Sequence, residues 1–544
     1  EKGASSHLRM EVGGAAERED AAFGQLKSSI TSMIVRKHTG LLVPEKYANP
    51  PDLLHHIQSQ PEPELWRRAQ DRVLSLFHDM AERVPAYRDF LSTHGVSPSK
   101  IRTIADFRTV PTIDKQNYLR AHSLESLCWD GDFKNRSWVI ASTSGSTGAP
   151  FYFPREKSQD MQYAGTAELY LRSNFQIHER STLYIDAFPL GPWIGGIFTY
   201  EVIRTIAQKP DYALSIITTG VDKQEIIHAV KKFGEHFDQI IIGCYAPFLK
   251  DALDDGVRQG MDWKRYNLRF IFSAEGFSET FRDYVAETAG LKNAHLDTLN
   301  HYGTVDQGTL AHETPLSILI RRLAIKTPAL YTNIFPVRHK LPTLCQYDPE
   351  LFYFEEVAQG LLCSSYSGLP LVRYDLKDRG GVIGFEEMMA RVASSGIDLE
   401  KELTEAGIVQ TVWKWPFVFV YERSDLSASL YAFLVYPETI RKALQERELQ
   451  KRVTGKFAMM TRFDQGNNQY LEINVELKGG EQPHASLGEN IQETVTRWLL
   501  EENSEFRKTH AELGQRIAPR IVLLPYEDPS HFKPGRKQQW VVRA

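Results

Sequence analysis

Hydroxyl and glycine residues gather between positions 142 and 150 of this 544-residue sequence. The stretch reads Ser142, Thr143, Ser144, Gly145, Ser146, Thr147, Gly148, Ala149 and Pro150. Short apolar runs end at Ile140 and resume at Phe151, which predicts a tight turn between two strands. Successive backbone N–H groups and several hydroxyls converge in such a turn on a concavity that suits phosphate. Ala149 and Pro150 follow the second glycine, so the lysine of a Walker-type loop is missing here.

This turn must be positioned by the elements that follow it, in which short apolar runs alternate with helical periods. Runs rich in β-branched and aromatic residues predict strands at residues 183–185, 215–217, 239–242 and 269–272. Between two of them, Asp222 can cap a helix that carries Ile226 and Phe233 on one apolar face. The alternation predicts an α/β fold whose mostly parallel sheet is flanked by helices. Ligands are expected at the carboxyl ends of those strands.

Helical periods also lie before and after this region. An apolar stripe from Leu65 to Met80 predicts a helix that Pro85 ends. A small α+β unit is predicted near the C-terminus, with a helix at 438–444, a strand through 473–477, a helix through 491–499 and a strand at 521–524. A chain of this length is expected to form two or three domains.

Composition narrows the class of protein. The 64 basic and 69 acidic residues give a net charge of −5 without a basic block, which argues against a nucleic-acid surface. No apolar run approaches the roughly 20 residues of a membrane span, so we expect no membrane insertion. The four cysteines lie far apart, which favours a reducing cytoplasm over a disulfide framework. Residues 1–10 look like an expression remnant and show no signal peptide.

The hydroxyl-rich stretch, Thr-Ser-Gly-Ser-Thr-Gly-x-Pro, resembles the phosphate loop of adenylate-forming enzymes. That superfamily contains acyl-CoA synthetases, adenylation domains and luciferases. Residues 83–88 and 110–115 resemble the N-terminal region of its phenylacetate-CoA ligase-like branch. The resemblance implies a tag remnant and extension at 1–60, a large N-terminal adenylation domain at 61–422 and a small mobile C-terminal lid at 423–544.

Four further motifs arrive in the order of that family and imply nucleotide-binding residues. Ser273, Ala274, Glu275 and Gly276 match a segment that lines adenine. In the run from Asn300 to Asp306, the resemblance implies that Tyr302 stacks on adenine beside Gly303, that Thr304 faces the phosphate in catalysis and that Asp306 binds Mg²⁺. Asp378, which ends a Pro-Leu-Val-Arg-Tyr segment, is expected to bind the ribose hydroxyls. Arg423 and Asp425 match the nucleotide-contacting and hinge positions between the two domains.

The acid pocket and the reacting cation are less sharply marked. The resemblance places the pocket at Phe188, Trp193, Gly195, Gly196 and Tyr245, which suggests a flat or apolar acid. It also implies a catalytic lysine near the C-terminus. Aligning the strand 540–542 selects Lys537, whereas aligning Gly535 selects Arg536, and Lys533 is a third candidate. We favour Lys537 because strand pairing fixes where a loop side chain emerges.

The resemblance implies ATP- and Mg²⁺-dependent activation of a carboxylic acid to an acyl-adenylate, followed by transfer to CoA. One alternative passes the acyl group to an amine or a carrier-protein thiol, because Ser427 to Tyr431 replaces the Arg-Gly-x-Asn stretch that helps form the pantetheine passage. Another is a nucleotide-binding module without turnover. The identity of the acid and the oligomeric state, a homodimer included, stay open.

Overall fold

The computed structural model describes residues 45–143, 151–337, 341–358, 360–423, 427–532 and 541–542. Strands β1–β18 span Val139–Ser142, Tyr152–Arg155, Thr182–Asp186, Leu214–Thr218, Gln239–Cys244, Leu268–Phe272, Thr298–Thr304, Gly308–His312, Thr343–Gln346, Phe352–Val357, Gly360–Ser365, Leu371–Ile383, Phe417–Arg423, Ala428–Leu430, Phe433–Val435, Val453–Phe463, Gln469–Leu477 and Arg520–Leu524. Within these ranges, no helix has the length and apolar character that crossing a bilayer requires.

The described helices cover both faces of the sheets and extend along the N-terminal region. Helices α1–α18 span Pro50–Ser59, Glu62–Arg83, Pro85–Thr93, Ile104–Phe107, Leu124–Leu127, Lys157–Ser173, Ile194–Ala207, Lys223–Phe233, Ala246–Arg258, Glu279–Ala289, Ala294–Asp297, Pro315–Lys326, Pro328–Ile334, Phe385–Ser394, Leu399–Glu405, Pro437–Leu444, Ala485–Glu502 and Ser504–Leu513. A short π-helix at Lys115–Leu119 joins them.

An 11-stranded sheet organises the larger part of the chain, in the order β10-β11-β12-β13-β9-β8-β7-β6-β5-β3-β4. Strands β3 to β7 pair in parallel, as the β-α alternation predicts. From β7 to β10 the pairing is antiparallel, since several of these strands, such as β7–β8 and β10–β11, follow each other through short turns. The α/β class is confirmed, and the carboxyl ends of the parallel strands lie next to the antiparallel half.

The predicted helix that begins near Leu65 is present as α2, and its buried stripe includes Leu65, Val73 and Met80. Pro85 both follows this helix and opens α3, where its fixed φ and missing N–H are tolerated. Asp222 caps α8 by accepting the N–H groups of Gln224 and Glu225. Ile226 and Val230 on the predicted face are buried, whereas Phe233, in the last turn of the helix, is 36% exposed.

Residues 427–532, which we call the C-terminal unit, contain a separate three-stranded sheet in the order β16-β17-β18. The predicted helix and strand positions correspond to α16, β17, α17 and β18. An apolar cluster continues from the parallel half of the large sheet into this unit, with Ile226, Phe272, Leu430 and Ile473 among its buried members. The two parts therefore pack against each other in this structure.

The N-terminal segment before α2 is also packed onto the large sheet. Tyr47 donates a hydrogen bond to Asp348 at 2.6 Å, and Lys46 lies 2.9 Å from Glu350. Burial raises the pKa of Tyr47 well above its ordinary value, so this phenol is a proton donor at neutral pH. Residues 45–60 thus contribute to the core of the large unit.

Candidate functional site

The strands predicted on either side of the hydroxyl-rich stretch are present. Strands β1 and β2 pair antiparallel, with Ser142 opposite Tyr152. The Thr143 N–H donates to the Phe151 carbonyl at 3.0 Å, and the Thr143 hydroxyl accepts the Phe151 N–H at 3.0 Å. The Ser142 N–H donates to the Pro192 carbonyl at 2.7 Å, which joins the hairpin to the segment before α7. Ser144, Gly145, Ser146, Thr147 and Gly148 lie outside the described residues.

Two motifs predicted to bind the adenosine part meet across the sheet. The Tyr302 hydroxyl, on β7, donates to the Asp378 carboxylate on β12 at 2.5 Å. The Tyr302 ring stacks at 6.2 Å from the ring of Phe354, and Asp378 is buried. In the backbone ladder Asp378 lies opposite Arg423. The tyrosine ring and the carboxylate predicted to bind ribose are therefore held side by side.

The residues after Tyr302 complete β7 and form the turn that leads to β8. Gly303 is required there because a Cβ would lie 2.6 Å from the Gly308 carbonyl oxygen. The Thr304 hydroxyl, half-buried, accepts the Gln307 N–H at 3.2 Å and so stabilises its own turn. Asp306 lies in this turn, just beyond the end of β7.

Asp306 is held by two side chains from distant parts of the chain. Its carboxylate lies 3.1 Å from the Lys115 ammonium and accepts a hydrogen bond from the Tyr374 hydroxyl. Lys115 is positioned because Ile113 pairs in parallel with Tyr374 on β12, with the Asp375 N–H donating to the Ile113 carbonyl at 2.9 Å. A cation, a phenol and a carboxylate thus converge beside the hairpin.

The segment from Ser273 to Gly276 follows β6. Its exposed and buried residues alternate. Ala274 and Gly276 are exposed, and Ala274 has a φ of +71°, in the left-handed region. Glu275 points the other way, and its carbonyl accepts a hydrogen bond from the Asn300 side chain at 3.0 Å. Small exposed residues leave this main chain open, and its binding of adenine stays a prediction.

The Glu275 carboxylate is bound by three donors from the C-terminal unit. It accepts from the Ser429 hydroxyl at 2.8 Å, the Ala432 N–H at 2.5 Å and the Gln469 side chain at 2.9 Å. Burial raises the pKa of Glu275, and these hydrogen bonds oppose that rise. A second contact is close by, where Tyr431 donates to Asp251 at 2.7 Å.

The predicted acid-pocket residues lie together at the ends of β3 and β5. The Phe188 and Tyr245 rings pack edge to face at 5.6 Å. A Cβ on Gly195 would lie 3.3 Å from the Phe188 Cβ, and a Cβ on Gly196 would lie 2.7 Å from the Pro189 carbonyl oxygen. The absence of side chains at these two positions lets the start of α7 approach the aromatic wall.

Two ionisable residues adjoin this aromatic wall. Asp186 accepts the Phe188 N–H at 3.3 Å with one carboxylate oxygen, and burial raises its pKa to about 8. Lys508, from α18 of the C-terminal unit, donates to the Leu190 carbonyl and lies 5.0 Å from the Trp193 ring. Burial lowers the pKa of Lys508. The C-terminal unit therefore covers one edge of the predicted pocket.

Comparison with known proteins was made at the level of sequence and of fold. No protein-family model matches the chain. A phenylacetate-coenzyme A ligase of Thermus thermophilus is 21% identical over 242 residues, 44% of this chain and 51% of that enzyme. The match thus spans about half the length of this relative. A 2-hydroxyisobutyryl-CoA ligase, solved with 2-HIB-AMP and CoA in the thioesterification state, matches with a TM-score of 0.58 at 13% identity, over 90% of this chain and 91% of that one.

The chain therefore shares the fold of this CoA ligase. An adenylate-forming site needs Mg²⁺ as well as ATP, so the fit of the metal can be examined. The described ranges contain no group of three or more His, Cys, Asp or Glu residues arranged to hold an ion. Mg²⁺ is commonly bound by one or two carboxylates together with substrate phosphates. Asp306 supplies one carboxylate of the type that such a shared site uses.

Several residues of the predicted site lie outside the described part of the chain. Lys533, Arg536, Lys537 and Asp425 lie outside the described residues, as does the side chain of Arg423. The functional assignments of these residues remain predictions.

Sequence reasoning gave no function to two residues that contact Asp306. Lys115 and Tyr374 both occur within quoted family segments, but neither was given a function from its residue type. The signal for Lys115 was the short run Thr112-Ile113-Asp114, in which a β-branched residue can join a strand edge and the aspartate caps the following turn. Their contact with Asp306 depends on the pairing of Ile113 with β12, which spacing along the sequence does not reveal.

Proposed function

We propose that the protein activates a carboxylic acid with ATP, forming an acyl-adenylate and pyrophosphate, and then transfers the acyl group to the thiol of CoA. The observation that carries this proposal is a pair of contacts between the end of β7 and β12. Tyr302 binds Asp378, and Asp306 binds Tyr374. The residues predicted to bind adenosine and those predicted to face the phosphates therefore neighbour each other along the same two segments. ATP requires both kinds of group at once.

In the proposed complex, adenine lies against the main chain of 273–276 and the Tyr302 ring, and the ribose binds Asp378. The carboxylate of the substrate attacks the α-phosphorus, and pyrophosphate leaves. Negative charge grows on the phosphoryl oxygens during this step, so donors and cations that are already in place stabilise the transition state. The Lys115 ammonium and the backbone of the hairpin supply them, and Mg²⁺ held with Asp306 neutralises phosphate charge when it is bound.

The acid is proposed to lie against Phe188 and Tyr245, beneath the glycines that open α7. We therefore expect the substrate to be a flat or apolar acid that packs against these aromatic rings. Similarity to a phenylacetate-coenzyme A ligase supports an aryl-substituted acid. The acyl-adenylate hydrolyses readily in water, and the cover that Lys508 and α18 give to this wall supports its protection.

One observation favours a second acceptor. The stretch expected by resemblance to form the pantetheine passage is occupied here by contacts between the two units, since Ser429 binds Glu275 and Tyr431 binds Asp251. An adenylating enzyme that delivers the acyl group to an amine or to a carrier-protein thiol would not need that passage. This is the second candidate function.

Exchange of labelled pyrophosphate into ATP tests the first step. The assay is run with each member of a panel of aryl and aliphatic acids, and exchange must depend on the acid. Acid-dependent consumption of CoA, of an added amine, or of neither then separates the two acceptors. Failure of every acid to support exchange, with ATP binding intact, contradicts the proposed function and favours a nucleotide-binding module.

A further inference from the structure

A small cavity lies on the inner side of the hairpin, beside Asp306. Its lining includes Phe153, Arg155, Gln159, Asp306 and Ser367. We call it the hairpin cavity. At this cavity, β2 and the start of α6 lie next to the turn that carries Asp306. Arg155 was not among the predicted site residues.

Arg155 is buried in this lining with its hydrogen-bonding capacity only partly used. The side chain is 4% exposed, and its Nε donates to the Asp160 carboxylate at 2.5 Å. The guanidinium carbon lies 4.4 Å from the centre of the Phe198 ring, which fixes its plane. Its Nη2 is buried and has no hydrogen-bond partner among the residues that the structure describes. A buried charged donor without an acceptor is costly unless something else binds it.

The other polar groups of the hairpin cavity are already engaged. The Gln159 side-chain oxygen accepts the Gly368 N–H at 2.8 Å, and Asp306 is bound by Lys115 and Tyr374. Lys115 also lies 5.6 Å from the Phe153 ring, so a second cation borders the same wall. Asp306 is the only acidic residue among those that line the cavity in the described part of the chain. The cavity thus offers positive charge and a free donor.

We propose that Arg155 binds an oxyanion in the hairpin cavity through Nη2. A guanidinium stays charged at all working pH values and its planar N–H groups match the oxygens of carboxylate and phosphate. This inference rests on the proposed function, in which two oxyanions are present: the carboxylate of the acid and the polyphosphate of ATP. Both have the chemistry that Arg155 would recognise, and the experiment distinguishes them.

The variant must remove the guanidinium without leaving Asp160 as an unpaired buried charge, because breaking only one side of a buried pair destabilises a fold. Arg155→Met is therefore combined with Asp160→Asn. The matched control is Arg136→Met with Glu156→Gln, which removes another buried pair, 2.8 Å apart, near the same hairpin but outside the cavity lining. Circular dichroism and thermal unfolding establish that each variant is folded.

Binding of MgATP and of inorganic pyrophosphate is measured by calorimetry, and the KM of an active acid is measured by pyrophosphate exchange. Loss of a hydrogen bond to a charged group is expected to weaken binding about 10- to 100-fold. Weaker binding of ATP and pyrophosphate identifies the phosphate as the ligand, whereas a raised KM for the acid alone identifies the carboxylate. The control is expected to stay within about twofold of the wild type.

Unchanged affinity for all three ligands in the folded double variant overturns the inference. If that variant does not fold, Arg155→Lys serves instead, because it keeps a charge beside Asp160 but lacks Nη2, and the same comparison decides. The outcome is separable from that of the proposed function. A wild-type protein that catalyses no exchange but loses ATP affinity in the double variant supports the inference and contradicts the proposed function.

Discussion

The Lys115 ammonium lies 3.1 Å from the carboxylate of Asp306, and the Tyr374 hydroxyl donates to the other oxygen of that carboxylate. The metal-binding candidate is therefore already paired with a cation that is 30% exposed. In the proposed reaction, Lys115 would turn from Asp306 to the phosphate oxygens when ATP and Mg²⁺ bind. The pair holds both groups close to the place where negative charge will grow.

Lys115→Met removes this charge and keeps most of the side-chain length. Since loss of one pre-positioned donor at a developing oxyanion costs about 10²-fold in rate, adenylation is expected to slow by about that factor. The measurement is the rate of pyrophosphate exchange at saturating acid. Lys223→Met is the matched control, because Lys223 is 21% exposed and pairs with Asp255 on the surface of α8 and α9. Equal rates in the two variants would show that Lys115 has only a structural function.

Asp306→Asn keeps the size of the side chain but removes its negative charge. Adenylation is expected to fall and to recover in part at higher Mg²⁺, because the amide oxygen is a weaker ligand for a hard cation. Tyr374→Phe is the comparison, since it removes only the hydrogen bond to this carboxylate. Activity is titrated against Mg²⁺ in both variants, and a wild-type dependence in Asp306→Asn places the metal elsewhere.

Asp378→Ala is expected to weaken ATP binding by about 1.5–3 kcal/mol, the usual cost of losing hydrogen bonds to a charged group. Tyr302→Phe keeps the stacking ring and loses the 2.5 Å hydrogen bond to Asp378, so its cost should be smaller, about 1 kcal/mol. Calorimetric titration with ATP measures both. An affinity of Asp378→Ala equal to that of the wild type, in folded protein, contradicts the ribose assignment.

Asp186 should make stability depend on pH. Its pKa is about 8 in the folded protein, above the ordinary value of 3.8, because burial disfavours the charge. Between these two values the folded state keeps a proton that the unfolded state has lost. The contribution is therefore fully present below pH 4 and is lost as pH rises toward 8, by about 1.4 kcal/mol per pH unit.

Asp186→Asn imitates the protonated carboxyl and removes this dependence. Relative to the wild type, the Tm of the variant should rise progressively from pH 5 to pH 8. Asp160→Asn is not a suitable control because its carboxylate is paired with Arg155, whereas exposed Asp262→Asn changes no buried charge. A difference in Tm between Asp186→Asn and the wild type that stays constant over this range is evidence against a protonated Asp186.

Glu275 should control how the C-terminal unit is held. Glu275→Ala leaves the Ser429 hydroxyl, the Ala432 N–H and the Gln469 amide without their acceptor. The contact between the C-terminal unit and the large sheet is therefore expected to weaken. Limited proteolysis around 424–432 is expected to become faster in the variant. Asp283→Ala, which changes a carboxylate paired with Arg322 on the same side of the large sheet, is the control. Equal proteolysis rates would contradict this function of Glu275.

The local elements were largely predictable, because each depends on neighbouring residues. The apolar flanks of Ser142 and Thr143 predicted the hairpin, and the cap at Asp222 predicted α8. The Tyr302–Asp378 contact was implied only in outline, since each residue was assigned to the same nucleotide from a separate motif. What joined them was the placement of β7 and β12 on one sheet.

Other features depended on long-range packing that no local pattern contains. Glu275 was assigned through its main chain, but its side chain is buried by donors from the C-terminal unit. Lys115 reached Asp306 only because Ile113 pairs with Tyr374. Arg155 reads as an ordinary strand residue after Phe153, and its unsatisfied Nη2 becomes visible only once α6 and α7 cover it. Burial and strand partners, which the sequence does not give, decided all three.

The pairing of Ile113 with β12 also has a consequence for synthesis of the chain on the ribosome. The Val110 carbonyl accepts a hydrogen bond from Arg373, and 263 residues separate the two. At a synthesis rate of about 5–20 residues per second, Tyr374 emerges more than about ten seconds after Lys115. Helices α2 to α5 have all been synthesised by then, but the contacts of Asp306 are incomplete until Tyr374 follows. Synthesis of β12 thus sets the earliest time at which the side chains around Asp306 can come together.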